Sequence, residues 1–212
     1  MLNRIFDMNN PLMRALGAIC DLLVLNLLTA LCCLPVVTAG AALSALFDVL
    51  LRIVRSEETG IIGSYFRAFR SNFKKGTLLG LVFLAAAVVF FVDYLVAVTF
   101  APTLRVAVIA GALLVGAVAH YAFALQAHYE NGVLATLKNA ATLSVAFFPR
   151  TLGMLAFTVG LWVVCLSFFR QALPVLLMFG LSLPVYISAL LCDGVFNQIE
   201  TEQEETTDEH TV

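Results

Sequence analysis

Charge is scarce in this chain: Asp, Glu, Lys and Arg make up 12% of its 212 residues, where an average soluble domain carries about a quarter. Hydrophobic residues make up 61%, with 17 Phe among them. One soluble core of this size cannot hide that much apolar surface, so the composition excludes an ordinary soluble domain and points to an all-α, polytopic membrane protein. Paired cysteines are also missing. Cys20, Cys32, Cys33, Cys165 and Cys192 form no CxxC and all lie in apolar runs, so inert buried thiols are expected, not a zinc site or a disulfide framework. There is no GxSxG, HExxH or P-loop, and no pair of carboxylates on one clear face. His120 and His128 share a helix face but stand two turns apart, too far for a metal pair. The expectation is a non-enzyme with no catalytic residue, cofactor or metal. A cleaved signal peptide is not expected either. The first apolar run is too long, contains Asp21 and Asn26, and lacks a small-residue cleavage site, and Leu31 stands where a lipobox needs Gly or Ala.

What is present is a series of apolar runs near the length of about 20 residues that a spanning helix needs. They cover about 11–35, 38–55, 76–100, 104–128, 151–169 and 172–192, giving six spans with the second one short. Pro11 suits a first helical turn, with Asn9 or Asn10 as its cap, and Pro35 ends the first helix. Pro174 and Pro184 fall inside the last run, where neighbouring helices can satisfy the freed carbonyls. For 38–55, a full crossing, a re-entrant helix and an interfacial helix are all compatible with the length, but with the first run crossing and Pro35 outside, only a full crossing returns the basic loop to the inside, so six crossings are expected. Residues 34–40, "LPVVTAG", read as the outer turn before it. Gly76/Gly80 and Ala112/Gly116 offer small-residue faces for close helix contact.

The cations set the orientation. With six spans and an inside N-terminus, Arg4, Arg14, Arg52, Arg55, Arg67, Arg70, Lys74, Lys75, Lys138 and Arg150 lie in the cytoplasm, and Arg105 and Arg170 lie outside. Short loops rich in Lys and Arg stay inside, so both termini are expected there. Residues 1–199 then form one membrane domain. The stretch 200–212, rich in Glu, reads as an acidic, disordered cytoplasmic tail.

Between the second and third runs lies "YFRAFRSNFKKG", residues 65–76. On a helical wheel Ile62, Tyr65, Phe66, Phe69 and Phe73 gather on about a third of the circle, and Arg67, Arg70, Lys74 and Lys75 take the remainder. This predicts a cytoplasmic amphipathic helix over about 61–75 that contacts anionic lipid headgroups or docks a partner through Phe66, Phe69, Phe73 and the four cations. Nucleic acid is not expected, because the aromatics are committed to lipid or protein. A second such helix is expected over about 133–148. Glu58-Thr59-Gly60-Ile61-Ile62 matches Glu130-Asn131-Gly132-Val133-Leu134, which suggests a weak parallel repeat with its axis along the membrane normal and the two connectors close together.

"NNPLM" (9–13), "DLLVLNLLTALCCLPVVTAGAALSAL" (21–46), "EETGIIGSYFRAFRSNFKKG" (57–76) and "TLKNAATLSVAFFPRTLG" (136–153) resemble, in this order, the YesL family of bacterial integral membrane proteins. The likeness runs from about residue 1 to 195, with "LPVVTAG" and "FRAFRSNFKK" its most specific parts. The resemblance implies a bacterial inner-membrane protein and a role around carbohydrate utilisation, in the company of sugar importers of the ABC type. It supplies no catalytic residue.

Among polar groups within the runs, Asp21 and Asn26 form a candidate intramembrane polar site, since ionisable groups at depth are costly. Asp48 has Arg52 four residues on, the spacing of a helix ion pair. Two functions follow. The first is an accessory or regulatory membrane protein that docks a partner, such as an ABC-type transporter component, through its basic-aromatic helix. The second is a transporter-like component moving a small solute such as a sugar.

Overall fold

The computed structural model describes residues 11–57, 60–100, 102–129, 132–168 and 178–209. These form seven α-helices and no strand: α1 Pro11–Cys32, α2 Ala39–Val54, α3 Ile61–Phe100, α4 Arg105–His128, α5 Val133–Ala146, α6 Phe148–Ser167 and α7 Ser182–Glu209. Five of them, α1, α2 with its preceding turn, α3, α4 and α6, are long and apolar enough to cross a membrane. The protein is therefore all-α, with membrane-type helices. The caps expected at Asn9 or Asn10, and residues 172–177 of the sixth run, lie outside the described residues.

α2 is the centre of the bundle. Its Ala41, Ala42, Ala45, Leu46, Val49 and Leu50 are fully buried, enclosed by α1, α3, α4 and α7. Small residues make this enclosure possible. A Cβ on Gly40 would lie 2.6 Å from the Cα of Gly80 and would overlap the carbonyl of Gly76. A Cβ on Gly76 would stand 3.0 Å from the Cα of Ala41. The Gly76/Gly80 face is thus the seam at which two backbones touch. The Ala112/Gly116 face is looser, because a Cβ on Gly116 would meet nothing nearer than Leu155 at 3.8 Å.

α3 departs most from the sequence reading. The expected surface helix over 61–75 and the span over 76–100 are one helix of 40 residues, about 60 Å long at 1.5 Å per residue. No Pro interrupts it, and one Gly within a helix costs about 1 kcal/mol, too little to force a break. α4 returns beside its second half, with the Phe83 and Phe123 rings 5.7 Å apart. The second connector behaves differently: α5 ends at Ala146, and α6 begins with Pro149 in its first turn. α5 does touch α3, but one connector is continuous with its span and the other is broken from it.

α7 starts at Ser182, so Pro184 falls in its first turn, where its missing N–H leaves no bond unmade. The helix continues to Glu209, and the stretch expected to be disordered from residue 200 is helical to that point. No Gly or Pro follows Gly194, and Gln and Glu are good helix formers.

Candidate functional site

The first half of α3 divides its aromatics between two environments. Tyr65 is fully buried, and its hydroxyl donates to the Ala42 carbonyl at 3.4 Å. Phe69 is half-buried and stacks on Tyr65, with ring centres 6.5 Å apart, and meets Phe73 edge-on at 5.6 Å. Phe66 and Phe73 are 50% and 42% exposed. Arg67, Arg70, Lys74 and Lys75 are all exposed, and among the described residues no carboxylate pairs with them. Tyr65 and Ala68 therefore anchor the helix, while two Phe and four cations face outward, with a shallow depression between Phe69, Arg70, Phe73 and Lys74. Such a surface suits an anionic group set beside an apolar one.

α5 is mounted in another way. Thr136, Ala140 and Ser144, spaced one turn apart, form its buried stripe, while Leu134 and Val145 are 83% and 74% exposed. It packs through its small residues and turns large apolar ones outward. Lys138 is exposed beside them.

Asp21 and Asn26 do not form one site. Asn26 is buried, and its Oδ1 accepts the backbone N–H groups of Leu181 at 2.8 Å and Ser182 at 3.0 Å. It thereby caps the start of α7 from a helix more than 150 residues earlier in the chain. Asp21 is half-buried, and among the described residues no hydrogen bond or ion pair reaches it. Asp48 and Arg52 make the anticipated i,i+4 pair at 3.0 Å.

Three further contacts had no local signal, because each involves a partner far off in sequence. Arg55 Nε bonds Asp193 Oδ1 at 2.6 Å, tying the end of α2 to α7. The His128 ring stacks on Phe196 at 5.2 Å. His120 Nδ1 lies 2.8 Å from the Gly116 carbonyl and Nε2 3.2 Å from the Thr158 hydroxyl. The Nδ1–H therefore donates to Gly116, and Nε2 accepts from Thr158. Truncating Asp193 to Ala is expected to cost about 2 kcal/mol by stranding a partly buried guanidinium. Thermal unfolding in detergent checks this, and a charge-swapped Arg55→Asp, Asp193→Arg protein should recover part of the loss.

The His120–Thr158 pair borders a half-open cavity of about 190 Å³ between α2, α4, α6 and the start of α7. Its walls include Phe47, Phe123, Trp162 and Pro184, so most of the lining is apolar.

Residues 22–94 match the family described as "Protein of unknown function, DUF624". The match begins in α1, takes in all of α2, and ends near the end of α3. It therefore covers the Gly40–Gly76–Gly80 seam and the basic stripe, about a third of the chain. None of the curated proteins matches the chain, and no solved structure does.

Proposed function

We propose that this chain is a YesL-type, non-enzymatic protein of the bacterial inner membrane, with both termini in the cytoplasm, acting as an accessory or regulatory component of carbohydrate uptake. It docks a partner, in this reading an ABC-type sugar transporter component, through α3. Anionic headgroups share the same surface. The observation that carries the docking reading is the set of four exposed cations, with no carboxylate partner among the described residues, interleaved with exposed Phe66 and Phe73, on a helix held to the bundle by Tyr65 and Ala68. The helix is already ordered, so binding loses little conformational freedom. Co-purification after mild detergent extraction tests it. Changing Arg67, Arg70, Lys74 and Lys75 to Glu should leave membrane insertion intact and reduce recovery of the partner at least tenfold. Equal recovery of every partner would rule out docking through this face.

The second reading, a transporter-like component, draws on one feature. α7 starts at a break, Gly180–Leu181, that is capped by Asn26 from another helix, and interrupted helices line solute paths in many transporters. The cavity beside that break suits a sugar poorly, because His120 and Thr158 offer too few partners for a ring with a hydroxyl on most carbons. Uptake assays in proteoliposomes decide this reading. Sugar flux that is lost in Asp21→Asn would favour it over docking.

A further inference from the structure

The contact of Gly40 with Gly76 and Gly80 is a depth mark along α3. From Gly80 the helix runs on to Phe100, about 30 Å at 1.5 Å per residue, which is a full hydrocarbon thickness. α4 returns beside it. The connection from α1 to α2 rises far less. Val36–Thr38 is a 3-10 turn that leads straight into α2, so Pro35 stays within about 10 Å of Gly40. The tip thus stops about 20 Å short of the α3–α4 turn.

The chemistry of the tip fits that depth. Leu34, Val36 and Val37 are 76%, 60% and 56% exposed, and no charged residue occurs between Asp21 and Asp48. Pro35 has no N–H. The amides of Cys33, Leu34 and Thr38 donate to the carbonyls of Thr29, Leu31 and Pro35, and the Thr38 hydroxyl donates to Cys32 at 2.6 Å. Among the described residues the amides of Val36 and Val37 have no backbone acceptor, so the turn satisfies its polar groups internally only in part. At the other end of α2, Arg52 and Arg55 pair with Asp48 and Asp193.

We propose that α1 and α2 form a re-entrant hairpin, entering and leaving through the face that carries Arg52 and Arg55, and that the cavity against its side is a binding site for a small uncharged aromatic molecule with one hydroxyl group. Leu43 and Phe47 of α2, one and two turns beyond Gly40 on the side away from the tip, help to wall the cavity, so it lies against the body of the hairpin, nearer its entry face than its tip. Its volume of about 190 Å³ is slightly above the roughly 150 Å³ of an apolar cavity that takes up benzene. Phe47, Phe123 and Trp162 supply aromatic walls. Thr158 gives its proton to His120, which leaves the Thr158 oxygen to accept from the ligand hydroxyl. Neither feature depends on the docking surface.

Depth is measured with nitroxide labels at Val37→Cys and Thr103→Cys, in a chain reconstituted with Cys20, Cys32 and Cys33 replaced by Ala. The label at 37 should be reached by oxygen and not by a water-soluble nickel chelate, and the label at 103 by the chelate. Equal chelate access at both positions overturns the hairpin. As a check on the natural chain, Cys32 and Cys33 should resist an impermeant maleimide from either side until the membrane is dissolved. Labelling from outside at the rate of Thr103→Cys would contradict the hairpin. For the cavity, the chain's single Trp is the reporter and 4-bromobenzyl alcohol the probe. Quenching of Trp162 should saturate in the natural chain, weaken at least tenfold in Ala119→Phe, which fills the space, and weaken several-fold in Thr158→Val, which keeps the volume. Quenching that rises linearly and is the same in Ala119→Phe overturns the site.

Discussion

Gly40→Ala is expected to lose about 3 kcal/mol of stability, and Gly40→Leu to yield no folded protein. In an ordinary helix the first change would gain up to about 1 kcal/mol, because Ala restricts the unfolded chain and Gly does not. The sign reverses here because of what the new methyl meets. It would stand 2.6 Å from the Cα of Gly80, and a main-chain atom cannot rotate aside as a side-chain tip can. α2 and α3 would have to separate, opening the core around Leu46 and Leu50. Gly160→Ala serves as the control: it lies in α6, and a Cβ there meets nothing within 4 Å, so it should be neutral or stabilising. Thermal unfolding of the purified proteins in detergent reads both. A Gly40→Ala protein as stable as the natural chain would mean that the backbones do not touch.

Asn26→Leu is expected to cost about 4 kcal/mol. The side-chain oxygen satisfies two buried amides, Leu181 and Ser182, and each orphaned amide costs about 1–3 kcal/mol. Asn26 and Ser182 are buried, so water does not replace the lost acceptor. Asn26→Asp keeps an acceptor at the positive end of α7 and should lose less than half as much. Hydrogen exchange at the two amides separates this account from simple loss of packing. Both amides should exchange faster in the Leu protein and stay protected in the Asp protein, whereas protection in both would refute the cap.

Much of the architecture could be read from the sequence, since long apolar runs and their flanking Pro residues mark where α1, α2, α4 and α6 lie. The joint in α3 could not. Its basic stripe and apolar stretch differ in chemistry, which suggested two elements, but helix continuity depends on the absence of a breaker, and Gly76 is a weak one. The exposure of Arg67, Arg70, Lys74 and Lys75 was legible from their spacing. Tyr65 was placed on the same stripe as Phe66, yet it faces Ala42, because a helical wheel does not say which side meets α2. Long-range polar contacts such as Arg55–Asp193 and Asn26 with α7 leave no local trace. The depth of the α1–α2 tip is hidden for a different reason. A hairpin that crosses twice and one that turns back after about a third of the thickness would return to the same side, so the partition of the cations is identical for both.

The central claim is that the basic-aromatic half of α3 faces the cell interior. Single cysteines at positions 70 and 103, probed in whole cells with a membrane-impermeant maleimide, test it most directly. Arg70→Cys should be protected until the membrane is opened, and Thr103→Cys should be labelled at once. Labelling at 70 with protection at 103 would contradict the orientation and the docking surface together.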